Sequence, residues 1–210
     1  MTTKTGKTTK ATTKTGKAWG RPVGAGGGKA PALSAVEVRA LRGQIASEPN
    51  AARNLALVNL LLCGLRVSEP LSLRVRDVTD RFGRVTETFV LTSNNTKSGR
   101  ARRCYVNEAA KKSLATWLAE MPNAGDGEAL VFPLNAAYAS TLVNTLMKRA
   151  GLPGTSHSFR RTAATTLCES GTSPRVIQEL LGHTSLSTTQ HYLETSTAKV
   201  QAAVVNNLNW

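Results

Sequence analysis

The stretch from residue 157 to residue 192 constrains the fold of this chain more than any other. It contains two short segments with helical signals on either side of a Gly-Thr-Ser-Pro turn, and polar side chains stand where a plain hydrophobic core would have none. His157 and Arg160 are three residues apart, so on a helix they share one face. His183 follows the second segment directly after a glycine, and Tyr192 lies nine residues beyond it. The pattern predicts that these side chains, at helix starts and ends, converge on one point.

Two upstream segments add motifs in a defined order. CGLRVSEPLSL contains Arg66 just past the end of a buried helix, and TKSGRARRCYV contains Lys97 beside the tip of a predicted β-hairpin. The order Arg, Lys, His-x-x-Arg, His, Tyr, spread over residues 33–208, resembles the catalytic domain of the tyrosine recombinases, or phage integrases. The chain resembles the short, single-domain members, such as the fimbrial phase-variation invertases.

The resemblance implies a chemistry at one DNA phosphate. In this family the tyrosine attacks phosphorus and forms a covalent 3′-phosphotyrosyl link, the arginines and the second histidine bind phosphate oxygens, the first histidine acts as base, and the lysine protonates the leaving 5′-oxygen. Planar, always-charged guanidinium groups suit phosphate geometry. The link keeps the energy of the broken ester, so rejoining needs no ATP. The family uses no metal, and no cofactor is expected. The catalytic residues implied are Arg66, Lys97, His157, Arg160, His183 and Tyr192.

The charge of the chain indicates a polyanionic partner. The net charge is +14, and residues 1–30 hold seven basic residues and no acidic one. A charge of this size favours nucleic acid over an anionic membrane. Together with the resemblance, this charge makes double-stranded DNA the expected partner. The residues expected to contact it, besides the catalytic set, are Arg100, Arg102, Arg103, Arg161, Lys4, Lys7, Lys10, Lys14 and Lys17.

The expected organisation is a disordered basic tail over residues 1–30 and a tyrosine recombinase catalytic domain over 31–210. The fold implied is α+β and mainly helical, with a small antiparallel sheet. Most integrases carry a helical core-binding domain before the catalytic one, and here only the tail precedes Leu33. The expectation is that the tail substitutes in part, or that an accessory DNA-bending or core-binding partner does. A homotetramer on DNA that exchanges C-terminal segments is also implied by the resemblance.

Cysteine usage and hydropathy bear on the compartment. Cys63, Cys104 and Cys168 stand far apart with no metal-site spacing, which is typical of buried thiols in a reducing cytoplasm. The longest apolar run, residues 55–65, is interrupted by Asn59 and too short for a bilayer span. We expect a cytoplasmic, nucleoid-associated protein with no membrane partner and no bound metal.

Two other functions remain open from the sequence. Residues 173–192 imitate a non-catalytic helix-turn-helix DNA-binding module, which would explain the basic charge but not the ordered upstream motifs. A type IB topoisomerase-like enzyme that relaxes supercoils uses the same set of catalytic residue types. Taken alone, Arg66 is equally consistent with a surface arginine that pairs with Glu69 or Asp77.

Overall fold

The structure, a computed structural model, describes residues 30–93, 99 and 101–185. The basic tail, the hairpin tip with Lys97 and Arg100, and the C-terminal segment with Tyr192 lie outside the described residues. Within these limits the structure is mainly helical, and a two-stranded antiparallel sheet lies between the third and fourth helices, as the sequence predicts. The elements are α1 (Ala35–Ala46), α2 (Ala51–Leu62), a 3-10 turn (Pro70–Ser72), α3 (Val75–Val78), β1 (Thr88–Leu91), β2 (Arg102–Tyr105), α4 (Glu108–Glu120), α5 (Ala136–Arg149), α6 (Ser156–Glu169) and α7 (Pro174–Leu181).

Helix α1 begins where its capping signal predicts. The backbone N–H of Glu37 donates to Ser34 Oγ at 3.3 Å, and the Glu37 carboxylate accepts from the backbone N–H of Ser34 at 2.7 Å. This capping box satisfies two N–H groups at the helix start. Helix α6 begins at Ser156, and Thr155 is its N-cap.

Helix α2 forms the centre of the core. It is apolar around most of its circumference, which is typical of a helix buried on all sides, and it packs against α1, α4 and α6. Leu57, Leu60 and Leu61 are fully buried. The helix is followed by Gly64, whose φ of +92° lies in the left-handed region that glycine adopts without strain. The chain therefore turns sharply out of the core just before Arg66.

The small sheet orients its side chains by the strand period of two. In β2, Cys104 is buried and pairs with Phe89 of β1, whereas Arg103 and Tyr105 are exposed. Arg102 lies two residues before Cys104, so it faces the protein interior and not the solvent. The contact between Arg102 and DNA that the sequence analysis expects stays a prediction.

Hydropathy across the described helices gives one further result. None of the helices in residues 30–93 and 101–185 combines the length and the apolar character needed to cross a membrane.

Candidate active site

Arg66 is held by a buried glutamate three residues further along the chain. Its Nη1 donates to Glu69 Oε1 at 3.0 Å, and its backbone N–H donates to Glu69 Oε2 at 2.7 Å. Glu69 is fully buried, whereas 24% of the Arg66 side chain is exposed. The ion pair that the sequence offered as an alternative is thus present. It fixes the arginine while leaving part of its side chain accessible.

His183 is placed by the end of α7. Gly182 has φ +62°, its N–H donates to the Glu179 carbonyl at 3.0 Å, and the His183 N–H donates to the Gln178 carbonyl at 3.0 Å. This is the Schellman pattern, in which a left-handed glycine ends the helix. The Gln178 side chain also donates to the His183 carbonyl at 3.1 Å. The Leu-Gly-His motif is therefore a helix stop that fixes the backbone of the histidine.

Arg160 joins the ends of two helices. It projects from α6, is only 5% exposed, and donates through Nη1 to the Gly64 carbonyl at 2.5 Å and through Nη2 to the Leu181 carbonyl. Carbonyl groups at helix C-termini lack partners within the helix and carry partial negative charge, so a cation stabilises them. One guanidinium thereby ties the segment before Arg66 to the segment before His183.

Arg102 approaches the same place from the sheet. Its Nη1 donates to the Leu180 carbonyl at 2.5 Å and its Nη2 to Glu69 Oε2 at 2.6 Å. Only 9% of its side chain is exposed. The Arg102 guanidinium is thus bound to two groups of the protein itself.

The electrostatics of this cluster favour an anion. The charges of three guanidinium groups, from Arg66, Arg102 and Arg160, act on His183. The Glu69 carboxylate accepts hydrogen bonds from two of them, Arg66 and Arg102. Burial, which has the largest effect, and the positive charges of Arg160, Arg66 and Arg102 together lower the pKa of His183 to about 4. The imidazole is therefore neutral at pH 7, in a site where positive charge exceeds negative charge.

Three other predicted residues, His157, Arg161 and Arg103, lie in the described parts of the chain. His157 lies in the first turn of α6 and is exposed, and its backbone N–H donates to Thr155 Oγ1 at 3.3 Å. Arg161 is partly buried and Arg103 is exposed. The predicted residues outside the described parts of the chain are Lys97, Arg100, Tyr192, Lys4, Lys7, Lys10, Lys14 and Lys17. Among the residues that are described, no group of His, Cys, Asp or Glu could hold a metal ion.

From the sequence, neither Glu69 nor Gly182 is assigned to the site, and Arg102 is grouped with the expected DNA contacts. Glu69 was considered only as a partner that would make Arg66 structural, and Gly182 only as a helix break. Arg102 was counted with its exposed neighbours, although its position two residues before the apolar Cys104 was a readable signal of the inward face.

Comparison with known families decides the classification. The model of the phage integrase family matches residues 31–199. The chain belongs to this family. As a family member it resembles the tyrosine recombinase XerC of Mesorhizobium japonicum, which is 37% identical over 179 residues that cover 80% of this chain and 55% of the relative. XerC of Brucella melitensis is 38% identical over 168 residues, covering 75% of this chain and 51% of the relative. The chain thus spans about half the length of the curated relatives it matches.

Solved structures agree on the fold of this integrase-family chain. XerA recombinase superposes with a TM-score of 0.66 at 24% sequence identity, covering 85% of this chain and 65% of XerA. The Tn1549 transposon integrase, solved in complex with transposon right end DNA, gives a TM-score of 0.71 at 17% identity, covering 88% of this chain and 68% of the integrase. The tyrosine recombinase fold predicted from the motifs is confirmed.

Proposed function

We propose that this chain is a site-specific DNA recombinase that cleaves and rejoins strands through a 3′-phosphotyrosyl intermediate on Tyr192. One observation carries the proposal. Arg66 and Arg102 share the Glu69 carboxylate, and Arg160 joins the Gly64 and Leu181 carbonyls, at helix ends that the chain separates by more than a hundred residues. The charges of all three arginines act on one neutral histidine there. Family membership supports the same conclusion.

The proposed chemistry assigns each side chain a task at one phosphate. Arg66 and Arg160 stabilise the charge that develops on the non-bridging oxygens, and fixed cations of this kind are the largest single contribution such a site can make. Because burial and the neighbouring arginines keep His183 neutral, one ring nitrogen carries a proton to donate to a phosphate oxygen and the other does not.

Three assignments in this proposal depend on the family pattern. His157, exposed at the start of α6, is the base that activates the tyrosine. Lys97 and Tyr192 supply the leaving-group proton and the nucleophile, and both lie outside the described residues.

The proposal extends to the assembly. The substrate is double-stranded DNA, bound with help from the basic tail, Arg100, Arg103 and Arg161, and the Tn1549 integrase supports this because it was solved with DNA. Recombination takes place in a homotetramer with exchanged C-terminal segments. An accessory DNA-bending or core-binding partner contributes the remaining contacts with DNA. The reaction takes place in the cytoplasm, at the nucleoid. The division into a disordered tail of residues 1–30 and a catalytic domain of residues 31–210 stays a prediction.

A nicked suicide substrate made from DNA that flanks the gene tests the proposal. The wild-type chain should form a covalent protein–DNA adduct, and Tyr192→Phe should form none while retaining its DNA affinity. Tyr138→Phe is the matched control, because Tyr138 is exposed on α5 and far in sequence from the cluster. An adduct with Tyr192→Phe, or no adduct with the wild-type chain, contradicts the proposal. Transfer of the cleaved strand to a second duplex, rather than relaxation of a supercoiled circle, separates recombinase from topoisomerase activity.

A further inference from the structure

Arg102 has a position that neither the motifs nor a simple surface charge explains. It belongs to β2, yet its two terminal nitrogens reach the Leu180 carbonyl in the last turn of α7 and the Glu69 carboxylate beside Arg66. One side chain of strand β2 therefore contacts two other parts of the chain that are far apart in sequence: the segment after α2 and the helix end before His183.

Gly182 gives the arginine room to make these contacts. A Cβ atom on Gly182 would lie 2.7 Å from Arg102 Cδ and 3.1 Å from Arg102 Nε. The first distance is closer than real Cβ contacts, so a side chain at this position would push Arg102 out of place. Two independent reasons thus favour glycine at position 182: its φ of +62°, and the Arg102 side chain that lies beside it.

Burying Arg102 also costs more free energy than burying an apolar side chain in the same place would. Its Nε is buried and has no hydrogen-bond partner among the described residues. A buried donor left without a partner is unfavourable, and a native structure that contains one calls for an explanation. An apolar side chain would fill the space without this cost. It could not, however, bind a carboxylate and a helix-end carbonyl at once, which a rigid guanidinium fork can.

We propose that Arg102 is a positioning residue. By binding both the end of α7 and Glu69, it fixes the positions of His183 and Arg66 relative to each other, so that both can bind the same phosphate. The inference rests on the proposed function, because it assigns a role within the same site. Arg102 does not touch the phosphate in this proposal. It acts on His183 through the Leu180 carbonyl and on Arg66 through Glu69, and it ties both to the strand that leaves the hairpin containing Lys97.

Single-turnover cleavage of the nicked substrate at saturating protein tests the proposal. Arg102→Met keeps much of the volume and removes the bridge, so the cleavage rate should fall about 10- to 100-fold while the Kd for DNA changes less than about threefold. Arg102→Lys supplies one point charge that cannot reach both acceptors, and it should also lose at least about tenfold. Arg84→Met is the control, since Arg84 is an exposed arginine paired with Asp80 and should cleave at the wild-type rate.

Titration of His183 by NMR gives a readout that does not depend on cleavage. Removing Arg102 takes away one of the three cations around the imidazole, so the His183 pKa should rise toward its ordinary value in Arg102→Met but not in Arg84→Met. An unchanged cleavage rate, or an unchanged His183 pKa, in Arg102→Met overturns the proposal. If the methionine variant does not fold, the cleavage rate of Arg102→Lys decides, and a wild-type rate in that variant overturns the proposal. Absence of any adduct from the wild-type chain would instead contradict the proposed function, and the titration would still test the bridge.

Discussion

Glu69 offers the sharpest test of how the cluster is held together. Its carboxylate is 1% exposed and accepts three hydrogen bonds, from Arg66 Nη1 at 3.0 Å, the Arg66 backbone N–H at 2.7 Å and Arg102 Nη2 at 2.6 Å. Glu69→Gln keeps the shape, removes the negative charge and places an NH2 group where an acceptor is needed. Breaking a buried ion pair by removing one partner typically costs about 3–5 kcal/mol, because the remaining charge stays buried. We expect the free energy of unfolding to fall by about that amount.

Urea unfolding at neutral pH measures this loss, and Glu128→Gln is the matched control. Glu128 also pairs with two arginines, Arg74 at 3.5 Å and Arg76, but 57% of its side chain is exposed. Exposed pairs contribute about 0–1 kcal/mol, since water screens them. A loss below about 1 kcal/mol for Glu69→Gln, similar to that of Glu128→Gln, would refute the claim that a buried carboxylate holds the two arginines.

A double variant isolates the pairwise contribution. Residues in one ion-pair network show coupling of about 0.5–3 kcal/mol in double-variant cycles. Glu69→Gln combined with Arg102→Met should therefore destabilise less than the sum of the two single changes, because the double variant no longer leaves the Arg102 charge buried without its carboxylate. Additive losses would show that the 2.6 Å contact between the two side chains contributes nothing of its own.

Three further predictions follow from the same structure. The pKa of His183 is lowered to about 4, so as the pH falls from about 6.5 to 4 the unfolded chain takes up a proton that the folded chain does not. The contribution of His183 to the free energy of unfolding should therefore be fully present above pH 6.5 and should fall by roughly 1–2 kcal/mol over that range, after allowance for partial exposure. His183→Gln should abolish this part of the fall in urea unfolding measured at each pH. Arg160→Lys leaves the Gly64 or the Leu181 carbonyl without its donor, so the free energy of unfolding should fall by about 1–3 kcal/mol. Single-turnover cleavage should be slower by about 10²–10³-fold, and a normal rate of cleavage would contradict the role of the Arg160 guanidinium. Phe159→Ala removes a fully buried ring beside that arginine and should cost about 3–5 kcal/mol by thermal or urea unfolding, whereas a cost below 1 kcal/mol would mean that the site collapses to fill the space.

Helices and their ends were readable from the sequence because their causes are local. The capping box of Ser34 and Glu37, the Ser173-Pro174 start of α7 and the Gly182 stop each involve side chains and backbone groups within a few residues. The start of α6 shows the limit, since Thr155 and Ser156 are adjacent residues that can both cap a helix and only the backbone path selects the first.

The convergence of the site was decided by tertiary packing. The sequence determined which residue types are present, in which order, and which helix ends carry them, and this was enough to predict the family and the fold. It did not determine that Arg160 reaches carbonyl groups 96 and 21 residues away, or that Arg102 reaches Glu69 across 33 residues, because such contacts exist only after α2, α6, α7 and the sheet have packed together. Local sequence can place a charged side chain on a strand, but only the packed neighbours on each face determine whether that charge meets solvent or a buried carboxylate.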